Sequence, residues 1–147
     1  MSEEKLKAPH PAMPDYSYRC KVVRVVDGDT IDVDIDLGFN MTARKRLRLY
    51  GVNTWETRGA ERPRGLLAKE YVETLLLSGR NVNHQHLLVS GSVKEVWVQT
   101  LMDAEGKYGR LLAWVWVMVE GDFPGYVCLN TELLRLGHGR EYMVNKT

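Results

Sequence analysis

Cysteine is scarce in this 147-residue chain, with two residues in all, Cys20 and Cys128. Two cannot build the multi-bridge framework that staples small secreted domains, and neither stands at a metal-ligand spacing. Both read as buried free thiols, with a single disulfide as the lesser alternative. Long apolar runs are also absent. No stretch reaches the ~20 residues a membrane span needs, and residues 1–15 carry no apolar signal core. The expectation is a cytoplasmic protein with no membrane partner. Histidine numbers four. His84 and His86 have an i, i+2 spacing, but no third ligand stands nearby, and metal sites take three or four. An excess of one charge is missing as well, since 20 Lys and Arg oppose 19 Asp and Glu, a net +1.

What is present is an ordinary globular composition, 44% apolar and 27% charged, at a length suited to one domain. The neutral total conceals a local imbalance. Between Arg44 and Arg64 seven basic residues (Arg44, Lys45, Arg46, Arg48, Arg58, Arg62, Arg64) meet two acidic ones, Glu56 and Glu61, a balance of +5. A patch of that sign attracts polyanions, although most such residues are simply a solvated, salt-bridged surface.

Taken in order, residues 1–17 carry three prolines and no period, and read as a disordered or extended tail. Tyr18 to Val26 is β-branched and strand-like. Asp27-Gly28-Asp29 is a turn, with Gly28 free to take positive φ. Thr30 to Leu37 alternates, with Ile31, Val33, Ile35 and Leu37 on one face and Asp32, Asp34 and Asp36 on the other. Gly38 to Met41 turns the chain, and Thr42 to Tyr50 returns with Arg44, Arg46 and Arg48 outward. Pairing Asp36 with Arg44 sets Asp34 against Arg46 and Asp32 against Arg48. That cross-strand ladder explains the Asp-x-Asp-x-Asp run better than a metal cluster, because alternate carboxylates on a strand stand ~7 Å apart.

Arg62-Pro63 opens a helix whose stripe is Leu67, Tyr71 and Leu75 with Ala68, Val72 and Leu76, and Gly79 stops it. Asn81 to Val89 and Val93 to Leu101 read as strands joined through Ser90-Gly91-Ser92, and Asp103 to Gly109 as a loop. Arg110 to Val119 is apolar on both faces, so it is central. Asn130 or Thr131 caps a short helix over 131–136 that ends at Gly137, and the remainder frays. The fold class is mainly β with helices (α+β), a five-stranded OB-fold barrel with two or three packed helices. It occupies residues 18–143, with 144–147 frayed.

One stretch carries chemistry. Asp27-Gly28-Asp29-Thr30 puts two carboxylates in a tight turn. Arg48-Leu49-Tyr50-Gly51-Val52-Asn53-Thr54-Trp55-Glu56 follows with an arginine on a strand and an Asn-Thr-x-Glu exit. This is a cation site beside an anion clamp, and it suits a phosphodiester.

These two blocks, with Gly106-Lys107-Tyr108-Gly109-Arg110-Leu111-Leu112-Ala113 and a weaker block from Leu129-Asn130 to Gly137, resemble the staphylococcal nuclease (thermonuclease) family. The resemblance implies an OB-fold and calcium-dependent cleavage of DNA, with RNA as a further substrate, leaving 3′-phosphate ends. It implies Asp29, Asn53 and Thr54 as metal ligands, Thr54 through its backbone carbonyl, and Asp27 as a supporting residue. Glu56 resembles the general base, and Arg48 and Arg110 the arginines that grip the phosphate. Lys107, Tyr108 and Tyr142 stand where substrate-contacting residues would be, Tyr142 one residue out of register.

Two departures matter. Asn53 replaces a carboxylate, which lowers the ligand charge and predicts weak calcium binding, with Mn²⁺ or Mg²⁺ as alternatives. Trp55 replaces a proline and offers either a face for base stacking or a core side chain. The partner implied is nucleic acid, with a monomer as the default state. The competing class is the same barrel acting as a non-catalytic module that binds nucleic acid or protein.

Overall fold

The computed structural model describes residues 16–77, 80–82, 88–105, 111–120 and 125–142. Eleven elements follow in order: β1 (Ser17–Asp27), β2 (Thr30–Gly38), β3 (Met41–Leu49), β4 (Val52–Thr54), α1 (Arg62–Leu76), β5 (Arg80–Val82), β6 (Leu88–Glu105), β7 (Leu111–Glu120), β8 (Gly125–Cys128), α2 (Leu129–Arg135) and β9 (Gly139–Glu141), with a 3-10 turn over Gly59–Glu61 before α1. β6, β1, β2, β3 and β7 lie side by side, and β7 pairs back onto β6. The sheet therefore closes on itself as a five-stranded barrel, and closure removes the open edges a flat sheet would expose. β3 and β7 run parallel, and every other ladder of the barrel is antiparallel. With α1 inserted between the third and fourth barrel strands, this is the α+β, OB-like barrel expected.

The barrel closes because its strands alternate. Ile31, Val33 and Ile35 point inward beside Leu47, Leu49, Val98, Val115 and Val117, all buried. Each such side chain contributes ~1.5–3 kcal/mol of transfer free energy. α1 plugs the barrel with Ala68, Tyr71, Val72, Leu75 and Leu76, and α2 adds Leu129 and Leu133. Among the described residues no helix is long and apolar enough to cross a membrane. Both cysteines are free thiols. Burial pushes the Cys20 thiol up to about 12 and raises that of Cys128 as well.

Several sequence expectations are corrected. The β2–β3 hairpin turns on two residues, Phe39 and Asn40, both with positive φ, so Gly38 pairs with Met41. A two-residue turn of this hand matches the strand twist. With it the register moves by two residues: Asp34 faces Arg44, Asp32 faces Arg46, and Arg48 faces Thr30. A shift of two keeps every side chain on its face. Leu37 lies at the exposed tip instead of in the core.

Ser90-Gly91-Ser92 is no turn but part of β6, which also takes in Asp103–Glu105, because β6 pairs in succession with β5, β1 and β7. Leu67 is 48% exposed. The buried stripe of α1 runs instead through Gly65, Ala68, Val72 and Leu75. α2 begins at Leu129 after Cys128, with no side-chain cap. Asn130 lies inside it, fully buried, donating through Nδ2 to the Tyr50 and Ala113 carbonyls and accepting from the Val115 N–H. Residues 139–141 do not fray, because β9 pairs with β4. β1 begins at Ser17, at the edge of the stretch read as a tail. Gly79, His84 and His86 lie outside the described residues.

Candidate active site

The site is built where the β1–β2 turn meets the segment leaving β3. Asp29 follows the turn and is buried, 8% exposed. Its backbone carbonyl accepts from the Leu49 N–H at 2.9 Å, which fastens the turn to the end of β3. Oδ1 accepts from the Thr30 hydroxyl at 3.0 Å, while Oδ2 accepts from the Thr54 N–H at 3.0 Å and the Thr54 hydroxyl at 3.1 Å. A carboxylate so held is fixed in place. Gly28 does not take the positive φ expected of it. It lets the turn and Thr54 approach closely, since a Cβ there would meet the Thr54 side chain at 3.0 Å.

Arg48 was expected to point outward from β3, and it is instead buried at 8% exposure. The moved register takes it away from Asp32, which Arg46 holds through Nε at 2.7 Å. Arg48 Nη1 donates to the carbonyls of Leu49 at 3.1 Å and Val52 at 2.6 Å, and Nη2 donates to Asn53 Oδ1 at 3.3 Å. Nη1 also stands 3.6 Å from Asp29 Oδ2. These bonds use three of the five N–H donors a guanidinium carries. Among the described residues Nε–H and one Nη2–H have no partner, enough to meet two oxygens of an anion.

The Tyr142 ring lies 5.3 Å from the Arg48 guanidinium carbon, and the Tyr142 N–H donates to the Gly51 carbonyl at 3.0 Å. Tyr142 is therefore brought to the site, against Arg48. Nothing in its sequence neighbourhood signals this, because the β4–β9 pairing that places it is a contact between distant segments.

Asp27, Asp29, Arg48, Asn53, Thr54, Trp55, Glu56 and Thr57 line one pocket of about 210 Å³. Glu56 is exposed in its wall. Its backbone N–H donates to Glu61 Oε1 at 2.8 Å. The first turn of α1 presses on the same residue, since a Cβ at Gly65 would stand 1.9 Å from the Glu56 carbonyl oxygen. On the other side a Cβ at Gly139 would stand 2.6 Å from the Asn53 carbonyl oxygen. Two glycines thus let a helix and a strand grip the 53–56 segment, a role the sequence analysis missed because close approach leaves no local pattern. Trp55 is neither a free stacking face nor a core residue. Its indole N–H donates to the Gly137 carbonyl at 2.8 Å, and the guanidinium carbons of Arg64 and Arg140 stand over the ring at 3.9 and 4.6 Å.

The structure therefore brings together Asp29, Arg48, Asn53, Thr54 and Glu56, with Tyr142 beside them. Lys107, Tyr108 and Arg110 lie outside the described residues. Leu111, next along the chain, pairs with Leu47, and Leu112 with Arg48. Among the described residues no group of three or more His, Cys, Asp or Glu side chains is placed to hold a metal ion. The pocket's donors are oxygens alone, the set a hard cation prefers.

No family model matches the chain. An uncharacterized protein of Methanocaldococcus jannaschii is 30% identical over 135 residues, which covers 87% of this chain and 61% of that protein. A thermonuclease of Staphylococcus hyicus is 33% identical over 97 residues, covering 66% of this chain and 47% of its own length. The chain thus spans roughly half to three-fifths of the relatives it matches. The OB-like barrel accompanies this distant similarity to a thermonuclease.

Proposed function

We propose that this protein hydrolyses phosphodiester bonds of nucleic acid, DNA with RNA as a further substrate, with little sequence preference and leaving 3′-phosphate ends. The observation that carries the proposal is Arg48, buried and oriented by three oxygens, with two N–H donors unused among the described residues, in a pocket that also holds Asp29 and Glu56. A phosphodiester is an anion that repels hydroxide until its charge is balanced. A planar fork meets two of its oxygens at once and keeps its proton at any working pH. Preorientation matters because a donor already aimed at developing charge needs no rearrangement when the bond breaks. Glu56, in the pocket wall and open to water, accepts the proton of the attacking water. Arg110 joins Arg48 on the phosphate, Lys107 and Tyr108 contact the substrate, and the Tyr142 phenol takes a nucleotide.

The cation fits the donor chemistry, though thinly. Asp29, Asn53 and the Thr54 carbonyl would hold it. A bound divalent ion, Ca²⁺ first with Mn²⁺ or Mg²⁺ as alternatives, would add charge neutralisation at the phosphate. Asp29 already accepts three hydrogen bonds, and Asn53 brings no charge. Weak binding follows, at about 10⁻⁴–10⁻³ M, the weak end of oxygen-ligand calcium sites. The same scarcity of carboxylates favours the second reading, a module that grips nucleic acid without cutting.

Digestion of plasmid, single-stranded DNA and RNA across a metal series, with and without EDTA, separates the two readings. The nuclease reading expects EDTA-sensitive cleavage that Glu56→Gln abolishes, with 3′-phosphate product ends. Metal-independent binding without cleavage selects the module.

A further inference from the structure

We infer that Arg64 and Arg140, gathered over the indole of Trp55, form a second phosphate subsite. It takes the phosphodiester next to the one in the pocket, and so rests on the nucleic-acid reading above. Trp55 is part of the pocket wall. Its ring is held at both ends, by the indole N–H to Gly137 and by its backbone N–H, which donates to the His138 carbonyl at 3.2 Å. The two arginines arrive from separate elements, Arg64 in the first turn of α1 and Arg140 in β9. With guanidinium carbons 3.9 and 4.6 Å from one ring centroid, they can be no farther apart than the sum of those distances. Two cations this close repel each other. The ring attracts each of them but neutralises neither.

Three exposed arginines elsewhere are each tied to a carboxylate, while Arg19 rests on Trp97 with Glu95 at 4.0 Å. Arg44 is paired with Asp34, Arg46 with Asp32 and Arg135 with Glu132. Arg140 has one distant carboxylate, with Nη2 3.7 Å from Glu61, and its side chain is 63% exposed. Arg64 is exposed and rests on the ring, with no carboxylate partner among the described residues. Positive charge is thus concentrated at the pocket's rim, with the long contact to Glu61 as its one ion pair among the described residues. The aromatic contact consumes none of the N–H donors, so they stay available for phosphate oxygens. Holding both side chains in advance also lowers the entropy lost when a ligand binds. A polynucleotide laid across the pocket presents such an oxygen pair at every step. A substrate with a single phosphodiester does not.

The test compares a single-stranded DNA octamer with bis(p-nitrophenyl) phosphate, which has one phosphodiester and no neighbour. Octamer binding by fluorescence anisotropy, in a Glu56→Gln background, is followed across a salt series. Adding Arg64→Gln and Arg140→Gln should lower the slope of log K against log salt by about 0.7, the value for one phosphate of a single strand no longer neutralised. In the otherwise native protein the same pair should cut kcat/KM on the octamer by about tenfold and leave turnover of the small diester unchanged. Trp55→Phe should keep the native slope and Trp55→Ala should lose it. An unchanged slope in the double variant, a native slope in Trp55→Ala, or equal losses on both substrates would overturn the subsite and leave hydrolysis standing. A native protein that neither binds nor cuts the octamer would overturn the nucleic-acid reading together with this one.

Discussion

At the scale of single residues, Arg48 shows how burial converts a charge into a tool. A guanidinium in water is mobile and screened, whereas this one is aimed by the Leu49 and Val52 carbonyls and the Asn53 amide. A lysine ammonium carries three donors, too few for both carbonyls, Asn53 Oδ1 and two phosphate oxygens. Arg48→Lys should therefore lower kcat/KM by about 10²–10³ and destabilise the fold by ~1–3 kcal/mol, the cost of stranding a buried acceptor. Steady-state kinetics well below the transition and a urea melt give the two numbers. A variant with native kinetics would remove Arg48 from the chemistry. Asn53 makes a converse prediction. Asn53→Asp restores a charge among the proposed ligands, so Ca²⁺ affinity by calorimetry should rise about tenfold or more. Unchanged affinity would place the cation elsewhere, and submicromolar binding by the native protein would contradict the weak site proposed here.

At the scale of elements, the segment from Asn53 to Glu56 has little structure of its own and is shaped by what grips it. α1 approaches through Gly65 and β9 through Gly139. The Tyr71 ring of α1 stacks on His138 at 5.2 Å, and His138 leads into β9. A methyl group at Gly65 would need to occupy the space of the Glu56 carbonyl. Gly65→Ala should cost ~1–3 kcal/mol, as overpacking does, and should lower kcat by moving Glu56. The matching control is Gly59→Ala, where a Cβ meets nothing within 4 Å. Its positive φ of 68° costs stability without reaching the pocket, so kcat should hold. Loss of kcat in both variants would mean that the 3-10 turn, rather than contact with α1, positions Glu56.

At the scale of the whole molecule, the barrel separates two populations of charge. One is the Asp–Arg ladder on the outer face of β2 and β3. Hydrogen bonds from Arg46 hold the Asp32 carboxyl below its usual range, and those from Arg44 do the same for Asp34, with charge from Arg24 and Lys21 added. Depressed carboxylates stabilise the fold fully above their unfolded pKa near ~3.9. That contribution is lost as pH falls through the lower folded values. An Asp32→Asn, Asp34→Asn double variant should therefore melt below the native protein near neutrality, and the gap should close under acid. Melting temperature against pH checks this, and a gap of constant size from neutrality into acid would show that the ladder acts by shape and not by charge. The other population, Arg64 and Arg140 at the rim of the pocket, has one long ion pair among the described residues, Arg140 with Glu61, and is available to a polyanion.

The barrel was legible in the sequence because burial on one side of a strand writes itself as alternation, clearest at Ile31, Val33 and Ile35. The pocket's members were legible because their chemistry requires particular residue types in order, from Asp29 to Glu56. Register was not. It depended on Phe39 and Asn40 both accepting positive φ, and that moved Arg48 from Asp32 to Asp29. Nor were the grip of Gly65 and Gly139, the seating of Tyr142 on Arg48, or the arginine pair over Trp55. Those contacts join segments far apart in the chain, and a contact of that kind is decided by packing in three dimensions, which leaves no period or spacing along the chain.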